Sequence, residues 1–438
     1  MGYIRGAGRD QGTLFPVVLD DLVPADHVCR VIDAFVDGLK MSGLGFERSE
    51  AAETGRPGYD PRDLLKLYLY GYLHQLRSSR RLESECRRNV ELMWLLGRLY
   101  PDHKSIAEFR RVHRDAVIAA GAELVRFARG CGLIRGAWMA VDGTKFRAVA
   151  SQSSVRERRA LEQYLVSCEK ADEDAQAEID PSAVAAALEK LKRHPEPEAD
   201  LMKVGSGAIA PAYNVQTVVD AAHALVVTHA VVLDAADNRQ LLPMAEAAKQ
   251  VLGVETLNIV ADTGYSNGEQ AAGCEAAGIL PHVPAQPSAR PPGLIDRSDF
   301  RYDADKDYFV CPEGKPLKRI QLSQKDRCIY YGAAKSDCAA CPRKSSCTQG
   351  QRRMITRHLY EDAIQRMTER ATPALMRLRR SVAEHPFGTL KYRIFGHPRL
   401  LLRGLNGART EIALAILAYN FKRIHNLLGA QKLTQALA

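Results

Sequence analysis

Two short apolar runs, each ending in an aspartate with glycine close behind, constrain this chain more than any other feature. Ala140-Val141-Asp142-Gly143 closes the first, and Ile259-Val260-Ala261-Asp262-Thr263-Gly264-Tyr265 the second. A short continuous apolar run is how a strand buried on both faces is written, and an acid at its end sits on the C-terminal sheet edge, where α/β sheets place their ligands. A third acid, Glu384, lies in the basic, helical stretch Arg380-Ser381-Val382-Ala383-Glu384-His385-Pro386. Taken singly, the aspartates read as turn caps and Glu384 as the surface ion-pair partner of Arg380. Taken together, three carboxylates on two strand ends and a helix can hold two divalent cations, a pair that drives in-line displacement at phosphorus.

The surroundings of these runs predict the organisation. Residues 1–130 read as an all-α domain. Asp60-Pro61 is an N-cap with proline at the first helical position, followed by Leu64, Leu65, Leu67, Tyr68, Tyr72 and Leu73 in helical rhythm; Ser105-x-x-Glu108 reads as a capping box. Arginines cluster here: Arg77, Arg80, Arg81, Arg87, Arg88, then Arg110, Arg111 and Arg114. They suit either a DNA-binding module or a solvated helical face. The core, first part, is expected over 138–290. It has a strand at 138–142, a polar helical insertion at 151–205 loosening around His194-Pro195-Glu196-Pro197, and a strand pair at 213–219 and 224–232. A helix over 238–252 follows, with Asp237 as its N-cap, then a strand at 256–261, a helix at 267–277 and a strand at 279–283. Lys203 precedes the second strand. This order fits an α/β, RNase H-like mixed sheet flanked by helices. Pro284, Pro287, Pro291 and Pro292 mark a linker, residues 296–357 a small Cys-rich insertion, and residues 358–430 the rest of the core. The last helix, from Thr410 to Leu428, is capped by Gly429.

Arg377, Arg380, Glu384 and Lys391 fall within a roughly 60° arc of one helix face at about 100° per residue. A metal-binding carboxylate with cations beside it suits a nucleic-acid backbone. Pro386 removes a backbone donor and is expected to kink or restart the helix.

Asp142, Asp262 and Glu384 resemble the acid triad of the DDE transposases of bacterial insertion sequences. Arg380-x3-Glu384-x6-Lys391 is similar to that group's signature around its third acid, with Arg377 standing where the group has tyrosine, and Asp262-x-Gly264-Tyr265 is similar to its second-acid segment. The resemblance extends from about Gly12 to Gly429. It is closest to the branch with an N-terminal helical domain and a cysteine-bearing insertion before the last acid. It implies an RNase H-like core whose acids hold two Mg²⁺ (or Mn²⁺) ions. It also implies hydrolysis at the transposon end followed by attack of the freed 3′-hydroxyl on target DNA. Lys391 is then a contact to DNA near the cut, and Arg380 and Arg377 phosphate contacts or braces. Double-stranded DNA, as terminal inverted repeats and as target, is the partner, and holding two ends together implies a homodimer.

Cys311, Cys338, Cys341 and Cys347, spaced x26, x2 and x5, can form a four-thiolate Zn²⁺ site, with one pair at knuckle spacing; buried free thiols are the other reading. The chain carries 61 Lys+Arg against 52 Asp+Glu, a formal charge of +9, which suits a polyanionic partner. No run reaches the ~20 apolar residues of a membrane span. With no signal core at Met1-Gly2-Tyr3 and irregularly spaced cysteines, a cytoplasmic, nucleoid-associated bacterial protein is expected. Two rivals share these features: an RNase H-like nuclease that stops at hydrolysis, and a domesticated DNA-binding protein without catalysis.

Overall fold

This computed structural model describes residues 18–49, 58–172, 180–205, 207–287 and 293–437. The chain forms two compact units, one of Met1–Gly136, Asp142–Ala235 and Ser381–Ala438, the other of Ala137–Val141 and Ala236–Arg380.

The first unit opens with six helices: α1 (Val28–Asp37), α2 (Pro61–Leu73), α3 (Ser79–Cys86), α4 (Val90–Leu95), α5 (His103–Val112) and α6 (Arg114–Gly130). Asp60 caps α2 as expected, its Oδ1 accepting from Arg62 N at 2.8 Å, and Leu65, Leu67, Tyr68, Leu69 and Tyr72 are fully buried. α5 starts earlier than Ser105-x-x-Glu108 suggests. Asp102 is its cap, accepting from Lys104 N at 2.9 Å and Ser105 N at 3.1 Å, while the Ser105 hydroxyl itself donates to Asp102 at 2.7 Å. A carboxylate can accept from all three donors at once, which a serine hydroxyl cannot do.

The chain then runs into β1 (Met139–Arg147), which continues past Asp142 where the sequence suggested an end. Helices α7 (Gln152–Asp172) and α8 (Pro181–Lys192) form the polar insertion. The expected loose end beyond α8 is anchored instead. Glu196 is fully buried, and its carboxylate accepts from Gly404 N at 3.1 Å and from Ala150 N. Strand β2 (Asp200–Val204) contains Lys203 and was not foreseen, because it carries only Met202 and Val204 as a buried alternation. β3 (Ala208–Asp220) and β4 (Val226–Val232) are the expected pair. β3 is antiparallel to β2 with Leu201 opposite Pro211, antiparallel to β4 with Asn214 opposite Val232, and runs between β2 and β1.

In the second unit, α9 (Leu241–Leu252) precedes β5 (Leu257–Val260), and α10 (Gly268–Ala276) precedes β6 (Ile279–His282). Met139 and Ala140 of β1 pair in parallel with Ile259 and Val260 of β5, which pairs in parallel with β6. α9 begins at Leu241 with Gln240 at its N-cap, so Asp237 lies before the helix and does not cap it. Gly253 ends it in the left-handed region, φ +59°. In the linker, Pro291 and Pro292 lie outside the described residues.

The cysteine region is built on a sheet: β7 (Arg301–Asp303), β8 (Tyr308–Val310), β9 (Pro316–Ser323), β10 (Cys328–Ala333), helices α11 (Lys335–Ala339) and α12 (Lys344–Cys347), and β11 (Met354–His358). The strands are antiparallel in the order β11-β10-β9-β8-β7, over a core of Phe300, Phe309, Leu317, Tyr331 and Ile355. Short strands around exposed charges hide this from periodicity. α13 (Glu361–Arg370) and α14 (Pro373–Thr389) follow. α14 does not stop at Pro386. It continues to Thr389 and widens into a π-helical turn over Leu390–Ile394, closed by a bond from Phe395 N to Leu390 O of 2.9 Å.

α15 (Gly404–Leu428) and α16 (Ala430–Leu437) complete the first unit; α16 lies beyond the Gly429 stop read from the sequence. α15 packs on α2, α6 and β4. Its Asn420 side chain accepts from Val226 N at 2.9 Å and donates to Val226 O at 2.7 Å. Among the described residues no helix is long and apolar enough to cross a membrane. Glu411, fully buried, receives Leu401 N at 2.7 Å and Leu402 N at 3.1 Å and faces Arg77 at 3.4 Å. Glu411→Ala removes the counter-charge of Arg77 and leaves two amides without their acceptor, so urea unfolding of this variant should show a loss of about 3–5 kcal/mol. Pairing it with Arg77→Met should recover part of the loss; a midpoint unchanged by Glu411→Ala contradicts the assignment.

Candidate active site

Each acid is placed by a rigid element. Met139, Ala140 and Val141 are fully buried, which fixes β1 and leaves Asp142 half-buried with Oδ1 accepting from Gly143 N at 2.8 Å. In the same unit Glu384 is exposed on α14, while Val382, Ala383, Pro386 and Phe387 around it are buried and set its direction. His385 is tied by Nδ1 to the Tyr419 hydroxyl at 2.9 Å, and that hydroxyl donates to Ala224 O at 2.6 Å. Lys391 lies on the π-turn. Burial pushes its ammonium below the usual lysine range, and the Asp142 carboxylate pulls it back up. The two are therefore electrostatic neighbours, although 249 positions of sequence separate them.

Asp262 belongs to the second unit. It follows β5 beyond the buried Ala261 and caps a short 3₁₀ turn over Thr263–Tyr265, with Oδ1 accepting from Gly264 N at 2.9 Å. Tyr265, fully buried, anchors the turn. Oδ2 accepts from Arg379 at 3.2 Å, and the Arg379 side chain is 12% exposed. Sequence spacing singled out Arg377 and Arg380, both exposed, and passed over Arg379. Its position off the face shared with Glu384 concealed it.

The N-terminal arginines divide. Arg80, Arg81, Arg87 and Arg88 are exposed on and just after α3; Arg88 pairs with Glu85. Arg77 and Arg110 serve the fold instead, a correction to the clustered-set reading. Arg77 donates to Phe395 O at 3.1 Å and Arg399 O at 3.2 Å, and lies over the Phe395 ring at 4.4 Å. Arg110 is buried, donates to Arg77 O at 3.1 Å and lies 5.4 Å from the Tyr68 ring centre. Arg111 and Arg114 are paired with Glu108 and Asp115.

Cys311, Cys338 and Cys347 pack on the core of the five-stranded sheet, and Cys341 lies in the connection between α11 and α12. Cys311 Sγ accepts from Lys315 N at 3.3 Å, in a turn where Gly314 has φ +76°, and Cys338 Sγ accepts from Arg353 N at 3.4 Å. Cys328 behaves differently: its thiol donates to Asp326 O at 3.1 Å. Among the described residues one set of three metal-type donors lies mutually within 4.8 Å, and it is not these thiols but His27, Cys29 and Glu91. That set is already satisfied. His27 Nδ1 accepts from Cys29 N at 3.3 Å, so the neutral ring carries its proton on Nε2, which faces Glu91 at 3.4 Å. The other Glu91 oxygen accepts from the Tyr70 hydroxyl at 2.6 Å, and burial pushes the Cys29 thiol up to about 12.

Comparison with known proteins bears on this arrangement. Residues 17–112 match the model of a transposase domain (DUF772), and residues 194–421 that of the transposase DDE domain. No functionally curated protein matches. Among solved structures, the piggyBac transposase synaptic complex with hairpin DNA, seen by cryo-EM, is 9% identical with a TM-score of 0.36, over 94% of this chain and 79% of that one. Because the transposase DDE domain spans more than half of its residues, and takes in both Asp262 and Glu384, the chain belongs to that family of transposases.

Proposed function

We propose that this chain is the transposase of a bacterial insertion sequence, which cuts the ends of its element and joins them to target DNA. The transposase DDE domain match over residues 194–421 supports the reading, and so does the electrostatic pull of the Asp142 carboxylate on Lys391 within one unit. That pull links the first acid to the segment that bears the third. Asp142, Asp262 and Glu384 are the carboxylates that would hold two Mg²⁺ or Mn²⁺ ions. The donor set fits: all ligands are hard oxygens, and Glu384 is exposed and the Asp262 side chain 45% exposed, so lone pairs remain for a cation and its waters. When bound, such a pair activates the attacking oxygen and stabilises the leaving one.

The chain's own residues supply the rest. Arg379 and Gly264 N hold the Asp262 carboxylate in one orientation, so it need not be ordered when substrate arrives. The half-buried Lys391 presents a cation beside Asp142 for a phosphate at the cut. Arg377 and Arg380 are free to take further phosphates, and exposed Arg80, Arg81, Arg87 and Arg88 give the helical N-terminal region an electrostatic grip on duplex DNA. Two ends must be held at once, so the active form is a homodimer.

The cysteines of the five-stranded sheet would hold one structural Zn²⁺. What supports this is the direction of the bonds at sulfur: amides donate to Cys311 and Cys338, as they do to thiolates, whereas Cys328 is itself a donor. Protein purified without chelator should contain about one zinc per chain, and Cys341→Ser should lose it and loosen residues 296–357 to proteolysis. Absence of zinc by metal analysis makes these buried free thiols.

Glu384→Gln keeps size and removes the charge that helps to hold a cation. With Mg²⁺ and a labelled duplex from the element's end, its cleavage should fall by about 1,000-fold or more. Binding should persist with the steep salt dependence given by the N-terminal arginines. Asp142→Asn and Asp262→Asn should match it, and combining them should add little. Near-normal cleavage by Glu384→Gln means that another residue is the third acid.

A further inference from the structure

Tyr392 has no role in the reading above, yet it is the most exposed large apolar side chain among the described residues, at 64% of its free surface. Exposure of that kind is usually a sign of a mobile chain, and here it is not. Tyr392 stands in the middle of the π-turn, whose ends Leu390 and Ile394 are buried. The bond from Phe395 N to Leu390 O closes the turn, and Gln75 Nε2 donates to Arg393 O at 3.0 Å from the side of α2. Arg77 then grips Phe395 O directly after it. The fold holds an aromatic ring out in solvent on a fixed support, and π-turns of this kind are frequent at functional sites.

The charge of the segment that carries the ring says what it meets. Between Glu384 and the fully buried Glu411 there is no acidic residue, whereas Lys391, Arg393, Arg399, Arg403 and Arg409 all fall in that stretch. Lys391, the immediate neighbour of Tyr392, feels the charge of the Asp142 carboxylate. A flat apolar surface on a segment rich in cations and without acids, next to a lysine that feels a candidate metal-binding acid, suits an unpaired nucleobase whose phosphates meet those cations.

We infer that Tyr392 stacks on an unpaired base at the cleaved transposon end, holding the terminal nucleotide while its 3′-hydroxyl reacts. This rests on the transposase reading and deepens it: Lys391 and Arg393 take phosphates, and Tyr392 takes the base. The ring acts through its face, so phenylalanine should serve as well as tyrosine and alanine should not.

The experiment uses the full chain and a short duplex copied from the DNA flanking its coding sequence, ending in a free 3′-hydroxyl, with Ca²⁺ to prevent turnover. Tyr392→Ala should bind this end roughly 10-fold more weakly, and Tyr392→Phe within about twofold of the parent. If the terminal base is removed from the DNA, the parent should weaken to the level of Tyr392→Ala, and the variant should lose nothing more. An unchanged melting temperature is expected, because the side chain is exposed. Equal binding by Tyr392→Ala and the parent overturns the inference and leaves the transposase reading intact. The same holds if alanine changes only the self-association of the chain, which would make the ring a contact between copies. Failure of the parent to cut the corresponding uncut duplex in Mg²⁺ overturns the transposase reading, and this inference with it.

Discussion

A carboxylate removed from water must be matched by donors or it unfolds what surrounds it, and Glu411 is such a carboxylate. One of its oxygens receives the amides of Leu401 and Leu402; the other faces Arg77. Arg77 in turn closes on the carbonyls of Phe395 and Arg399 and stacks over Phe395, while Arg110 holds the Arg77 carbonyl. Everything from Phe395 to Leu402 is thereby fixed to the N-terminal helices. That stretch directly follows the π-turn of Lys391 and Tyr392, so the placing of those side chains depends on a charge network some residues away from them. Burial pushes the Glu411 carboxyl up, and Arg77 and the two amides oppose it.

The sequence carried much of this, and unevenly. Strands were legible where both faces are buried, as at Ile259-Val260-Ala261, because a continuous apolar run admits few other readings. They were illegible in the cysteine region, where Lys318, Arg319 and Gln321 face solvent on β9 and only Leu317 reaches the core. Caps defined by proline and aspartate together, as at Asp60-Pro61, were found. Caps defined by competition among neighbours, Asp102 over Ser105, were not, since only geometry tells which oxygen reaches the amides.

The candidate site shows the same division. Residue type and spacing pointed to Asp142, Asp262, Glu384 and Lys391, because each stands in a local pattern. Arg379 has no pattern of its own; its importance lies in reaching Asp262, 117 residues distant in sequence. Arg77 erred the other way. In sequence it is one more arginine of a basic cluster, and its burial against Glu411 is a tertiary fact that no local rhythm encodes. The sequence predicts a kink or restart at Pro386, yet the helix passes through it, with Pro386 itself buried and the irregularity taken up four residues later as the π-turn.

The chain belongs to the transposase DDE domain family, and what separates the proposed transposase from a nuclease is the second step. The decisive measurement is strand transfer: a pre-cut, labelled end of the element incubated with the full chain, Mg²⁺ and supercoiled plasmid. The account predicts label joined covalently to the plasmid, dependent on the 3′-hydroxyl of the end. Nicked or linear plasmid with all label remaining on the free end would contradict it, and would make the protein a nuclease that stops at hydrolysis.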